Sequence, residues 1–331
     1  MESLQEICQY LNPNTRLDLK AVALENVLSV TGTTEGRELL LKLPDLLTQL
    51  IALTQESSAA ISKDAALALI NITADEAGAS AFLLISETQP EDGKYNYNLI
   101  HVCISCIMDK ESILADPCCM ILSNMTRPQH LVDRVIALIE TSGYTWDSIV
   151  AAFTAKHYNN SGANLHYLGP VFSNLSQYLM DKERSVIQRL LPFTEYAGSL
   201  VRRGGIAGTL KNCCFDVQNH EWLLSPEVDI LSYLLLPLAG PEEFDDEDND
   251  KLPTSLQYLS ETKQREPDLD IRSLSSTLCN EERQGNIENT KYIYNTQRVR
   301  IFCLDNLKDI EVPSEYTEKF HKMDQDFINS T

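Results

Sequence analysis

The amino-acid sequence predicts an all-α fold, a right-handed helical solenoid of the armadillo/HEAT type with an acidic loop and a partly disordered C-terminal segment. One short apolar phrase around an asparagine occurs five times, and its spacings of 45, 53, 50 and 38 residues bracket the repeat length of such solenoids. Glycine and proline number only 13 each among 331 residues, which favours helices over sheet-rich folds. The asparagines of the phrase are Asn26, Asn71, Asn124, Asn174 and Asn212.

These asparagines indicate a structural task, because the Asn amide competes with the backbone for hydrogen bonds inside a helix. In a stack of helices the usual task is to hydrogen-bond a backbone carbonyl of a neighbouring turn. We therefore expect the four side chains from Asn71 onward to be largely buried and hydrogen-bonded. The triplets at 71–73, 124–126 and 174–176 also fit the acceptor pattern for N-glycosylation, which we interpret as a by-product of the repeated phrase.

Residues 1–240 are predicted to form the repeats. Residues 1–56 hold an opening repeat or cap, and residues 57–90 continue the pattern with apolar side chains at helical spacing. The stripes that define these two repeats are Leu17, Ala21, Leu24 and Leu28, followed by Ile61, Ala65, Ala68, Leu69 and Ile72.

The later repeats carry boundary signals. Asp116 is predicted as an N-cap with Pro117 at the first helical position, and the same helix should end at Arg127 because Pro128 follows. Gly169-Pro170 is predicted to open the next asparagine helix in a similar way. Gly204-Gly205 is predicted to interrupt the chain before the helix that carries Asn212.

The composition changes after residue 240. Residues 241–272 are predicted to be an acidic crossing segment, since residues 241–270 hold 11 acidic and 3 basic side chains. Residues 273–304 lack an apolar stripe and are predicted to be irregular or disordered, whereas residues 305–331 hold a C-terminal amphipathic tail.

The acidic run within the crossing segment allows two interpretations. A calcium-binding loop is excluded because Lys251 stands where an EF-hand starting at Asp246 needs glycine. A solvated acidic loop and a docking strip for a basic partner both remain open. The candidate contacts of such a strip are Glu242, Glu243, Asp245, Asp246, Glu247 and Asp248.

The net charge of −21 argues against nucleic acid and anionic membranes as partners, because both would repel the chain. The first residues lack the positive region of a signal peptide, and no apolar run reaches about 18 residues. The nine cysteines are scattered, and several lie in apolar helical stretches. We therefore expect a cytoplasmic protein with reduced core cysteines.

Two clusters of residues are candidate chemical sites. His101, Cys103 and Cys106, with Cys118 and Cys119 behind them, lack zinc-knuckle spacing, which favours core cysteine. Arg202 and Arg203 precede the glycines at 204–205. We favour an inter-helix turn there, with the arginines at the end of the preceding helix and available as partner contacts, over an anion-binding loop. No nucleophile or dinucleotide motif is present, so neither catalysis nor a cofactor is expected.

Several longer segments resemble one known family. They are Tyr167–Ser176, Arg202–Phe215, Leu234–Phe244, Leu252–Leu259 and Lys263–Arg272. These segments are similar to the signature of the eukaryotic armadillo-like chaperone adaptors for translation elongation factor two. The resemblance implies a non-enzymatic cytosolic protein that binds the incompletely folded elongation factor. It also implies delivery of that client to the cytosolic ring chaperonin, alongside co-chaperones.

The chain departs from this family pattern after Arg272. Family members continue into a closing amphipathic repeat, whereas this chain has the polar residues 273–300 and rejoins the pattern at Asp305. A second hypothesis is a general armadillo scaffold for transport or signalling that binds an extended peptide. Such peptide-binding proteins usually carry Trp beside the repeated Asn, and here neither Trp146 nor Trp222 forms such a row.

Overall fold

The computed structural model describes residues 2–12, 14–88, 94–180, 186–241, 246–250 and 252–275. The described residues form nineteen α-helices joined by turns and short 3-10 helices, without a β-strand. They divide into two compact units. The first contains the described residues up to Leu190 together with Gly198–Thr209, and the second contains Leu191–Ala197 and the described residues from Leu210 onward.

The helices that lie wholly in the first unit, or begin in it, are short and closely spaced. They are α1 (Glu2–Tyr10), α2 (Leu17–Val30), α3 (Thr34–Leu40), α4 (Pro44–Leu53), α5 (Ala59–Thr73), α6 (Glu76–Thr88), α7 (Leu99–Met108), α8 (Ala115–Thr126), α9 (Val132–Glu140), α10 (Trp146–Thr154), α11 (Leu168–Asn174), α12 (Ser176–Leu179), α13 (Val186–Leu190) and α14 (Leu200–Cys214). A 3-10 turn, Gln129–Leu131, leads into α9.

The second unit is built from shorter pieces. Its α-helices are α15 (His220–Leu223), α16 (Ile230–Leu235), α17 (Asp246–Asn249), α18 (Thr254–Gln257) and α19 (Leu269–Ser275). Its 3-10 helices are Leu191–Glu195, Val217–Asn219 and Leu236–Leu238.

The asparagine helices of the first unit pack against one another in chain order. Helix α2 contacts α5, α5 contacts α8, and α8 contacts α11. Each buries the apolar residues that flank its asparagine, such as Leu69 and Ile72 on α5 or Leu122 and Met125 on α8. Helices α4 and α7 pack behind α5 and α8 as a second layer. Every repeat thus buries its apolar face on its neighbours, which is how a solenoid is stabilised.

Sharp turns between successive helices depend on glycine in the first two repeats. A Cβ added at Gly36 would lie 2.0 Å from the Val30 carbonyl oxygen, and one at Gly78 would lie 1.9 Å from that of Ile72. Both contacts are far inside van der Waals range, so only glycine allows the carbonyl to approach this closely. The bend between α5 and α6 is 119°.

Three predicted helix boundaries are wrong. Helix α11 begins at Leu168 after Tyr167, so Gly169 is not its N-cap and Pro170 is not at its first position. Helix α8 begins at Ala115 after Leu114, so Asp116 is not its N-cap. The Asp116 carboxylate instead accepts hydrogen bonds from the backbone N–H groups of Asn164 and Leu165 in a later connection. These bonds help to hold Leu165 at a left-handed φ of 55°, which costs free energy for a residue with a side chain. The predicted end of α8 before Pro128 is confirmed.

Gly204 and Gly205 do not interrupt the helical structure, because α14 runs through both of them. A Cβ on Gly205 would lie 2.3 Å from the carbonyl carbon of Gly169 and 2.5 Å from the nitrogen of Pro170. The glycine therefore permits a close backbone contact between α14 and α11. A glycine pair inside a helix has the same sequence signature as a turn, which explains the error.

The described part of the acidic crossing segment packs within the second unit. Leu252 and Leu256 bury their side chains with Leu235, Leu238 and Ala239. The Arg265 Nε donates to the Leu238 carbonyl at 3.1 Å, and the Glu266 N–H donates to the Pro237 carbonyl at 2.9 Å.

Residues 273–275 belong to α19, and the remainder of the 273–304 and 305–331 predictions lies outside the described residues. The prediction of an all-α armadillo-type solenoid is confirmed. No single helix among the described residues combines the length and apolarity needed to cross a membrane, and α5 with α6 reach both only as a bent pair.

Candidate functional site

The repeated asparagines of the first unit form a row in which each amide bonds to the preceding repeat. The Asn71 Nδ2 donates to the Thr31 Oγ1 at 2.8 Å. The Asn124 Nδ2 donates to the Ile70 carbonyl at 3.1 Å and to the Thr73 Oγ1 at 3.2 Å. The Asn174 Nδ2 repeats this arrangement. We call Asn71, Asn124 and Asn174 the asparagine row.

The contacts of Asn174 show that the pattern is regular. Its Nδ2 donates to the Ser123 carbonyl at 3.2 Å and to the Thr126 Oγ1 at 3.0 Å. Asn124 and Asn174 thus each bond to the residue before the previous asparagine and to the threonine two residues after it. The glycosylation-like triplets at 71–73 and 124–126 therefore have a structural reason, because their third residue, Thr73 or Thr126, accepts a bond from the next repeat.

The orientation of these amides follows from their acceptors. The Thr73 hydroxyl donates to the Leu69 carbonyl of its own helix at 2.7 Å, and the Thr126 hydroxyl donates to Leu122 at 2.9 Å. Each hydroxyl has a single hydrogen, so it can only accept from the asparagine. The atom that approaches it must be Nδ2, and the Oδ1 of each asparagine points away from the previous repeat.

Asn26 does not belong to this row. It is exposed, and its Nδ2 donates to the Val22 carbonyl of its own helix at 2.7 Å. Thr31 and Gly36 match Thr73 and Gly78 in their contacts, so Ser29 stands where the row would require an asparagine. The first phrase is therefore three residues out of register with the others.

The hydrogen bonds predicted for the asparagines are confirmed for Asn71, Asn124 and Asn174. All three are half-buried, as is Asn212 near the end of α14. Each Oδ1 of the row accepts no hydrogen bond from the described residues and remains open to solvent. The Nδ2 groups of the row thus donate to neighbouring repeats, while the three Oδ1 atoms can accept hydrogen bonds from the N–H groups of a bound polypeptide.

Arg202 is a core residue, so its expected role as a partner contact is wrong. Its side chain is 5% exposed, and its guanidinium carbon lies 3.9 Å from the centroid of the Phe153 ring. This stacking is a cation–π contact, which gains strength where water is excluded. Burial, together with the Arg202 charge, lowers the pKa of His166 nearby. Sequence gave no signal for this cluster, because its members lie far apart along the chain.

Arg203 is half-buried in the first turn of α14, and its role as a partner contact stays a prediction. Both arginines lie inside a helix, so neither the predicted turn nor an anion-binding loop is present at this place. Such a loop would need backbone N–H groups that α14 already uses for its own hydrogen bonds.

The structure describes only part of the acidic run. Asp246, Glu247 and Asp248 lie in the short helix α17, where Asp246 is exposed. Glu242, Glu243 and Asp245 lie outside the described residues. The choice between a solvated loop and a docking strip therefore remains open.

The predicted core cysteines are confirmed. Cys103, Cys118, Cys119, Cys213 and Cys214 are buried and carry free thiols. A hydrogen bond with Cys118, reinforced by burial, raises the pKa of Cys106 far above its usual value. Burial raises the pKa of Cys213 to about 12. Among the described residues no group of three or more His, Cys, Asp or Glu side chains is arranged to hold a metal ion.

Comparison of the sequence with known proteins gives a consistent family. Residues 106–273 match the model of a domain of unknown function, DUF383. "Protein HGH1 homolog" of Drosophila pseudoobscura pseudoobscura is 39% identical over 370 residues, covering 100% of this chain and 99% of that protein. The human protein of the same name is 41% identical over 278 residues, covering 81% of this chain and 68% of its own length.

Comparison of the structure with solved structures supports the same fold. A designed armadillo repeat protein in complex with the peptide (KR)4 aligns with a TM-score of 0.57 at 14% sequence identity. The alignment covers 72% of this chain and 93% of the designed protein. At this level of identity the likeness concerns the arrangement of helices alone.

Proposed function

Because this chain belongs to the DUF383 family of HGH1 homologues, we propose that it is a non-enzymatic adaptor that assists the folding of translation elongation factor two. In this role it binds the incompletely folded client and delivers it to the cytosolic ring chaperonin together with co-chaperones. The observation that carries the proposal is family membership over the full length of the chain, within which residues 167–176 and 202–272 hold the signature segments. At a coarser level the fold and the family support a protein-binding scaffold.

The packing of the repeats supports a scaffold role. The asparagine row, the Arg37–Asp75 pair at 2.5 Å and the Arg189–Asp147 pair at 3.2 Å each join neighbouring repeats. Because successive repeats are fixed to one another, their surface is pre-organised and loses little conformational entropy when a partner binds.

The charge of the chain supports a client with a basic face. A net charge of −21 attracts such a surface over distances of about a Debye length, roughly 8 Å at physiological salt. The acidic run at 242–248 contributes to this field and should increase the association rate more than the final affinity. The field equally argues against nucleic acid and anionic membranes as partners.

A general armadillo scaffold that binds an extended peptide is the second candidate. The open Oδ1 atoms of the asparagine row favour it, because they could accept bonds from a peptide backbone. Against it, the donors of the row are already used within the protein. The two tryptophans do not recur with the repeated asparagine, since Trp146 is buried at the start of α10 and Trp222 lies on α15.

The test is depletion of the protein from cells, followed by measurement of the soluble folded fraction of newly made elongation factor two. We expect this fraction to fall, to recover when the wild-type chain is restored, and the factor to co-purify with the restored chain. An unchanged folded fraction, with no co-purification, would rule out the adaptor role and favour the general scaffold.

The acidic run allows a second measurement, the rate at which this chain associates with elongation factor two. A variant with Glu242, Glu243, Asp245 and Asp246 changed to the corresponding amides should associate about tenfold more slowly at low salt and dissociate at an unchanged rate. A matched control replaces four exposed acidic residues of the first unit, Glu25, Glu35, Glu38 and Glu140, by amides. If both variants lose the same association rate, the effect comes from net charge and not from the run.

A further inference from the structure

A pocket of about 490 Å³ opens between α1 and the start of α4 in the first unit. Its volume lies within the range of about 300 to 1,000 Å³ that is typical of ligand sites. The floor is apolar, since Leu43 and Leu46 line it with buried side chains. A ligand group that enters it must therefore present some apolar surface.

The polar lining of this pocket includes two acceptors, a carboxylate and a buried amide oxygen. The Asp45 carboxylate is exposed at the pocket and can only accept hydrogen bonds when ionised. The Gln49 Oε1 is buried and accepts no hydrogen bond, so the protein leaves one amide oxygen unsatisfied here. An acceptor buried without a donor lowers stability, and a donor supplied by a ligand would remove that cost.

The other polar groups that line the pocket are a thiol, two amides and an ammonium group. The Cys8 Sγ donates to the Leu4 carbonyl at 3.1 Å. Burial chiefly, and the Asp45 charge to a lesser degree, raise the pKa of the Cys8 thiol, so this thiol stays neutral. Gln5 and Gln9 can each donate or accept. Among the described residues that line the pocket, Lys42 is the one cation, and its charge opposes the binding of a second cation.

We propose that this pocket receives a basic side chain, arginine or lysine, from a protein partner. The methylene stem lies on the apolar floor, while the charged head donates to the Asp45 carboxylate and to the Gln49 amide oxygen. Long basic side chains combine these two properties, because an apolar stem carries a donor-rich head. The assignment deepens the proposed function and rests on it for the nature of the partner, a protein with a basic face.

The pocket is tested first without any partner protein. The probe is the peptide acetyl-Gly-Arg-Gly-amide, and its control carries citrulline, which has the shape of arginine without the charge. Binding to the full chain is followed by the NMR signals of the side-chain amides of Gln5 and Gln49. We expect a saturable shift with the arginine peptide and a shift at least about fivefold weaker with citrulline.

Three variants should change the affinity for the arginine peptide in predicted directions. Asp45→Asn should weaken binding of the arginine peptide about tenfold, and Gln49→Met should weaken it by a few-fold. Lys42→Gln should strengthen it about twofold, because a like charge is removed. The matched control is Glu38→Gln, an exposed carboxylate on α3 that does not line the pocket. Equal binding of the two peptides, or equal effects of Asp45→Asn and Glu38→Gln, would overturn the assignment.

Co-purification then separates this inference from the proposed function. If wild-type chain captures elongation factor two and Asp45→Asn, Gln49→Met and Glu38→Gln capture it equally well, the adaptor role stands and the pocket is not the partner's site. If the arginine peptide binds as expected but the wild-type chain captures no elongation factor, the pocket's chemistry stands and the proposed client is wrong.

Discussion

The asparagine row makes a quantitative prediction for Asn124→Ala. The substitution removes two hydrogen bonds between repeats, to the Ile70 carbonyl and to the Thr73 hydroxyl. Each contributes about 1 kcal/mol net, whereas alanine in a helix is favoured over asparagine by about 0.6 kcal/mol. The expected loss in the free energy of unfolding is therefore about 1 to 1.5 kcal/mol.

The control is Asn26→Ala, the same change in the same sequence phrase. Asn26 is exposed and bonds only within α2, so its replacement should shift stability by less than about 0.5 kcal/mol. Because the chain has two compact units, global unfolding need not be two-state. Native-state hydrogen exchange of the α5 and α8 amides is therefore the better measurement.

A double-mutant cycle isolates the contact itself. Thr73→Val keeps the shape of the side chain and removes the acceptor, so the pair with Asn124→Ala should show a coupling energy of about 0.5 to 1 kcal/mol. A coupling energy of zero, or an equal cost for Asn26→Ala and Asn124→Ala, would refute the register that we assign to the row.

Three further outcomes are expected. Gly205→Ala should cost more than about 2 kcal/mol in thermal unfolding, since the new Cβ would lie 2.3 Å from the backbone of Gly169. Gly208→Ala should cost less, because its Cβ would meet the movable Ser173 side chain at 2.7 Å. Glu56→Ala should cost about 3 kcal/mol in urea unfolding, because Lys20 is 1% exposed and bonds to Glu56 at 3.0 Å. As a control, Asp18→Ala, which breaks the exposed pair with Arg16, should cost under about 1 kcal/mol. Native Cys106 and Cys118 should react with iodoacetamide at pH 8 at least about tenfold more slowly than in the urea-unfolded chain, because their raised pKa leaves little thiolate; equal rates would contradict this.

The sequence was sufficient for the fold because each repeat carries its own periodic stripe of apolar residues. The recurrence of Asn71, Asn124 and Asn174 also located the contacts between repeats. The register of Asn26 was missed, because its neighbours resemble the phrase and the landmarks that fix the register are Thr31 and Gly36. The threonines of the row could have been found from sequence, since Thr73 and Thr126 follow their asparagines at the same distance.

Other features have no local signal. Arg202 is charged and near glycines, so sequence placed it on the surface, and only the Phe153 ring beneath it explains its burial. The contact of Gly205 with Gly169 joins residues 36 positions apart, and no pattern in either segment announces it. The pocket beside Gln49 likewise depends on how α1 approaches α4, which helical periodicity cannot specify.

The asparagine row also bears on how such a chain can change during evolution. The repeats of α5 and α8 each end in a threonine that accepts a bond from the repeat after it, and each carries an asparagine that donates to the repeat before it, as at Thr73 and Asn124. Because the same two residue types occupy the same places, loss or duplication of one whole repeat leaves every such threonine and asparagine with a hydrogen-bond partner. Loss of half a repeat leaves one threonine and one asparagine without that partner. Viable length variants should therefore differ by whole repeats, and an exchange at Thr73 should be accompanied by one at Asn124, 51 positions away.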